Sequence, residues 1–140
     1  MFKFVYKLKN DINNYNHNNC DEIKVIEANY FSSYKNHFVL RTNRKRSGSF
    51  WILFISRKVN KYKNPEDVVR HEYGHALQLK EMGLIKYTVF IGIPSLLNLG
   101  NGYYYDKPWE ITADTLGGVR SRIHKEYNIV KGNEYMKKWS

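Results

Sequence analysis

His71 and His75 stand four residues apart around Glu72 in the run His71-Glu72-Tyr73-Gly74-His75, an H-E-x-x-H pattern. On a helix, residues four apart share a face, so both imidazoles can address one ion. Glu72 is turned about 100° from His71. Its carboxylate therefore lies beside the ion rather than on it, within reach of a water proton. Nitrogen and oxygen donors with an open coordination position suit Zn2+. Water on such an ion falls from a pKa of about 15.7 to about 7. The predicted chemistry is metal-assisted hydrolysis with Glu72 as general base. A catalytic zinc needs a third protein ligand. The best candidate is Glu110 in Pro108-Trp109-Glu110-Ile111-Thr112-Ala113-Asp114. Glu110 and Asp114 also share a helix face. One can bind metal while the other accepts a hydrogen bond from a ligand histidine and fixes its tautomer. Spacing alone leaves open which does which. Glu81, six residues past His75, points elsewhere, and Asp106 reads as a helix cap.

These side chains need two helices to hold them. The first is well punctuated: Asn64 as N-cap, Pro65 in the first turn, Glu66 and Asp67 where the helix dipole favours negative charge, and Gly83 as the stop. Val68, Val69, Ala76, Leu79 and Met82 give it an apolar face. The expected span is Pro65 to Met82, about 27 Å. The second helix starts at Asp106 to Trp109. Gly117 and Gly118 either end it or mark close packing with another element. Residues 120–127 are expected to continue as helix and 131–140 to fray.

Upstream, Ile23 to Tyr30, His37 to Thr42 and Phe50 to Val59 read as strands, with a turn over Ser32 to Asn36 and a polar loop over Asn43 to Ser49. Strands without intervening helices suggest a small antiparallel meander. The apolar run Phe50 to Ile55 is the candidate edge strand for an extended peptide, with a buried central strand as the alternative. Residues 84–102, broken by Gly92, Pro94, Gly100 and Gly102, read as irregular and apolar, packed under the active-site helix. Residues 10–19 hold six asparagines and read as a loop. The expected organisation is a single domain over 1–140 of class α+β: about three antiparallel strands, then the H-E-x-x-H helix, then a glutamate-bearing helix.

On these motifs the chain resembles a zincin metallopeptidase of the gluzincin type. The wording His71-Glu72-Tyr73-Gly74-His75 with Gln78, then Pro94-Ser95-Leu96, Trp109-Glu110 and Ala113-Asp114, is similar to bacterial domains found at the ends of Rhs-type or secreted proteins. The motifs span about residues 64 to 120. The resemblance implies His71, His75 and Glu110 as zinc ligands, Glu72 as general base, Asp114 as the brace of a ligand histidine, and a peptide or protein substrate. Two departures stand out. Trp109 occupies the position where many gluzincins have an asparagine. The residue stabilising the oxyanion is unassigned among His124, Tyr103, Tyr104, Tyr105 and Tyr127.

Composition bounds the remaining choices. The chain has 140 residues, 42% hydrophobic and 16% aromatic, which excludes a wholly disordered chain. Net charge is +10, attractive to polyanions. Arg44, Lys45, Arg46, Arg57, Lys58, Lys61 and Lys63 concentrate it, either as a solvated surface or as a contact for anionic substrate or nucleic acid. Nucleic acid is the less favoured partner. Lone Cys20 can form neither an internal disulfide nor a cysteine-based zinc site. No signal peptide or transmembrane segment is evident, so a soluble protein is expected, cytoplasmic or exported without a conventional signal. The rivals to a peptidase are a catalytically silent zincin-like binding or toxin domain, and a basic nucleic-acid- or membrane-binding module with a fortuitous motif. Nothing fixes the oligomeric state.

Overall fold

The computed structural model describes residues 20–99 and 102–140. Elements follow in the order α1 (Cys20–Glu27), β1 (Phe31–Tyr34), β2 (His37–Thr42), β3 (Gly48–Ser49), β4 (Leu53–Ser56), α2 (Pro65–Met82), α3 (Leu84–Tyr87), α4 (Ile93–Leu97), α5 (Pro108–Gly117) and α6 (Glu126–Trp139). Short 3-10 turns cover Arg57–Lys61 and Tyr104–Asp106, and a π turn, Thr88–Gly92, joins α3 to α4. The class is α+β, as expected. The sheet has four strands in the order β1-β2-β4-β3 and is mixed rather than antiparallel. β1–β2 and β3–β4 pair antiparallel, whereas β2–β4 pair parallel, Val39 opposite Leu53 and Thr42 opposite Ser56. The connection over residues 43–52 carries β3 and returns the chain to the same end of the sheet. This crossover breaks the meander.

The expected strand Ile23 to Tyr30 is instead helix α1. Its inward residues are Glu22, Val25 and Ile26, at helical spacing, while Ile23 lies largely outside. Buried Arg41, from β2, donates to the carbonyls of Val25, Ile26 and Ala28 at 3.1, 2.7 and 3.2 Å. It thereby satisfies the orphan acceptors at the helix's C-terminal end. Buried Glu22 accepts hydrogen bonds from Tyr34 (2.6 Å) and Arg70 (3.4 Å). The hairpin turn is tighter than expected. Lys35 and Asn36, with φ of 45° and 68°, join Tyr34 to His37.

Phe50 and Trp51 precede β4 in a turn, with the Phe50 N–H donating to Ile52 (3.1 Å), and beyond Ser56 the chain enters the 3-10 turn. β4 also lies between β2 and β3, so it is not the edge; β3 is. Helix α2 has the expected span, and Gly83 ends it at φ 81°. Asn64 helps through its carbonyl, which accepts from the Asp67 N–H (3.2 Å), rather than through its side chain. Residues 84–97 are helical throughout, contrary to the irregular segment expected. Pro94 follows directly on the π turn, at the second position of α4. Asp106 belongs to a 3-10 turn, and Lys107 takes the N-terminal position of α5 without a side-chain cap. Residues 120–125 are non-helical, and the C-terminal segment is helix α6, not a frayed tail. Met136 is buried, and Trp139 stacks on Phe90 at 4.0 Å. The asparagine-rich run 10–19 lies outside the described residues. Among the described residues no helix is long and apolar enough to cross a membrane.

Two apolar clusters place α2 between the sheet and α5. One joins Val25, Tyr34, Val39, Leu53 and Ile55 to Val69 and Ala76. The other joins Leu79 and Met82 to Tyr87, Ile91, Trp109 and Met136. Buried Asp67 ties the start of α2 to the segment after α5. It accepts from Arg70 Nη1 (2.7 Å) and from the backbone N–H groups of Arg120 (3.1 Å) and Ser121 (2.8 Å). Burial alone would raise its pKa, but the bonds from Ser121, Arg120 and Arg70 hold it below the usual 3.8. A depressed folded pKa means stability that is present above pH 4 and lost as pH falls through the folded value. Asp67→Asn is expected to cost about 2 kcal/mol at pH 7. Urea unfolding with chelator present throughout should show that deficit at pH 7 and a much smaller one at about pH 2.5. An equal deficit at both would refute the assignment.

Candidate metal centre

The site is built where α2 crosses α5, and two glycines set how closely. A Cβ on Gly74 would lie 1.8 Å from the Ala113 carbonyl oxygen, and one on Gly117 would lie 1.7 Å from that of Arg70. No other residue allows backbone to meet backbone there. Gly117 is the packing residue, and Gly118, with φ 78°, ends the helix. Tyr73 turns toward the sheet, edge-on to Tyr34 at 5.3 Å. That leaves His71 and His75 facing α5.

His71, His75 and Glu110 are all buried, and one ligand atom from each lies within 4.8 Å of the others. These three residues lie close enough to bind a metal ion. Glu110 Oε2 is 2.9 Å from His71 Nε2 and 3.2 Å from His75 Nε2. The outer ring nitrogens are occupied. His71 Nδ1 meets Asp114 Oδ1 at 2.5 Å, and His75 Nδ1 meets Gln78 Oε1 at 2.7 Å. The Gln78 amide donates to the Trp109 carbonyl (2.9 Å) and Thr112 Oγ1 (2.6 Å), which fixes which end is oxygen. A carboxylate and an amide oxygen can only accept. Both Nδ1 atoms therefore donate, and both Nε2 atoms face Glu110 as potential ligands. Two imidazoles and one carboxylate oxygen form a donor set that fits a borderline cation such as zinc.

Charge is concentrated here. Burial alone would lower the His71 pKa, but the hydrogen bonds to Asp114 and Glu110 push it up to about 10. His75 is likewise raised, chiefly by Glu110 against its own desolvation. The two imidazoles hold Glu110 well below the usual carboxylate range despite burial. Asp114 is held low by Arg122, His124 and His71. The Arg122 Nε and Nη2 both donate to it at 2.8 Å, and His124 Nε2 lies 2.7 Å away. Glu72 is different: burial pushes its carboxyl up.

All five residues singled out from the sequence meet at this crossing. Glu110 faces the inner ring nitrogens and Asp114 the outer nitrogen of His71. The rivals do not reach the cluster: Glu81 and Asp106 are exposed on other faces. Four residues have a supporting role that sequence reasoning does not assign, although Gln78 and Ser95 stand in the motif and His124 is an oxyanion candidate. Gln78, three positions after His75 on the same helix, fixes the His75 ring through its Nδ1. Ser95, from α4, donates a short hydrogen bond to Glu110 Oε1 and meets the Tyr104 hydroxyl at 2.9 Å. Arg122 and His124 complete the shell of Asp114, and neither has a spacing signal.

An open cleft passes the cluster in two halves of about 290 and 270 Å3. Glu72 and Tyr104 line both halves, with His71 on one side and His75 on the other. Of the other aromatic candidates, Tyr103 and Tyr127 are exposed, and Tyr105 packs edge-on to His71 at 5.7 Å. No protein-family model, curated protein or solved structure matches the chain.

Proposed function

We propose that this chain is a zinc-dependent peptidase of the gluzincin kind, with His71, His75 and Glu110 holding the ion. The observation that carries the reading is the convergence of two Nε2 atoms on one carboxylate oxygen, beside an open cleft that Glu72 also lines. When bound, a zinc ion supplies Lewis acidity and acidifies water. Glu72 takes the proton of the attacking water and hands it to the leaving amine. Its raised affinity for protons suits it to hold that proton between the two events. Burial and the nearby carboxylates keep the Tyr104 hydroxyl protonated; it donates to Ser95 Oγ without substrate and turns to the substrate carbonyl oxygen in the complex. An extended peptide adds to the sheet edge at Gly48–Ser49, which lines the cleft beside Glu72 and His75.

The test is metal analysis beside peptide hydrolysis. Wild type should carry about one zinc per chain. His71→Ala and Glu110→Ala should lose it and the activity together. Asp114→Asn should keep the site but weaken affinity by about 10- to 100-fold. If Asp114→Asn abolishes binding while Glu110→Ala leaves it intact, Asp114 is the ligand. Wild type free of metal after supplementation would overturn the reading.

A further inference from the structure

The two halves of the cleft differ in charge. Lys45, Arg46 and Arg122 line the His71 half, and among the described residues Glu72 is the one carboxylate there. Lys45 and Arg46 are exposed, and neither has an ion-pair partner among the described residues. Arg122 gives Nε and Nη2 to Asp114, and its Nη1 has no such bond among the described residues. Its guanidinium lies 3.8 Å over the Tyr105 ring, which fixes the plane it presents. With Nε and Nη2 engaged by Asp114, the outward Nη1 is what it offers to a carboxylate. Phe50, Tyr87 and Leu96 line the other half, where Arg46 at the shared neck is the only lysine or arginine among the described residues.

This contrast deepens the peptidase reading and rests on it. We propose that the cleft selects peptides with a carboxylate on the Arg122 side of the scissile bond and a bulky apolar side chain on the other. The carboxylate comes either from an aspartate or glutamate side chain or from a free C-terminus.

The test pairs turnover with binding. Peptides of one apolar-flanked sequence would carry glutamate, glutamine or lysine on the variable side, each with a free or an amidated C-terminus. The glutamate member should exceed the glutamine member by about tenfold in kcat/KM. The advantage should shrink as ionic strength rises. If the glutamate advantage survives amidation, the side chain is the recognised group; if glutamate and glutamine members are cleaved alike and amidation weakens both, the terminal carboxylate is. Lys45→Glu with Arg46→Glu should collapse the glutamate-to-glutamine ratio, while Lys58→Glu, outside the cleft, should preserve it. Binding to metal-loaded Glu72→Gln, followed by fluorescence anisotropy, should show the same order without turnover. Equal binding and equal cleavage across the series would overturn the inference and leave the peptidase reading intact. Ordered binding without hydrolysis by wild type would do the reverse.

Discussion

Glu72→Gln should retain the metal and lose the reaction, with kcat falling by about 10³-fold. The amide occupies the same volume in a buried position flanked by His71 and His75, so neither the helix nor the ligand set is disturbed. Proton transfer is what it lacks. The free carboxylate has competing influences: burial raises its pKa, the two imidazoles lower it, and Glu110 and Asp114 raise it again. A glutamine at the same place can neither take up nor release a proton, so the substitution removes the base whatever its pKa. Because the loss concerns a step after binding, KM should change little while kcat carries the effect. Tyr104→Phe is the informative comparison. It too should keep metal, but its deficit should be smaller, about 10²-fold, reflecting one hydrogen bond to the carbonyl oxygen. The measurement is kcat and KM beside metal content for both variants. A Glu72→Gln protein with near-wild-type turnover would eliminate Glu72 as the base. One that loses its metal would show that the residue is structural.

What could be read ahead of the structure depended on whether a signal was local. α2 carries its own start, stop and apolar period, so its bounds and the pairing of His71 with His75 follow from adjacent residues. The Glu110–Asp114 spacing is local in the same sense. α1 defeated pattern reading because one of its inward positions is a charged residue, Glu22, whose partners Tyr34 and Arg70 are 12 and 48 residues away. Its C-terminal carbonyls depend on Arg41, whose burial in a strand no hydropathy pattern signals. Residues 84–97 defeated it for a different reason. Glycine and proline punctuate a loop and a helix start equally well, and the π turn absorbs Gly92 within continuous helix. The supporting shell shows the same divide. Gln78 stood one turn from His75 and was within reach of spacing arguments. Ser95, Arg122 and His124 act only because α2 and α5 cross closely enough to bring separate segments to one carboxylate pair.

That dependence on the crossing sets the second large effect, expected for Gly74→Ala. In an isolated helix the change would stabilise, since alanine is favoured over glycine by about 1 kcal/mol. Here the new methyl would sit 1.8 Å from the Ala113 oxygen, with the Ala113 carbonyl carbon at 2.6 Å and its Cα at 2.9 Å. All three are backbone atoms of α5, so no rotamer change relieves the contact and the helices must separate. The expected cost is about 3 kcal/mol. The functional loss should be steeper than the stability loss. Separation draws Glu110 away from both imidazoles, and metal–ligand bonds tolerate only about 0.2 Å of error. Gly117→Ala should behave alike, because its methyl would meet the Arg70 oxygen at 1.7 Å from the opposite helix. Gly48→Ala is the control for folding, since a methyl added there would meet nothing within 4 Å and its φ is unstrained. Chemical unfolding of the three variants, followed by zinc titration of those that remain folded, checks both halves. Folded Gly74→Ala protein with wild-type zinc affinity would mean that the close approach of α2 and α5 does not set the ligand geometry, and that another contact holds Glu110 in place.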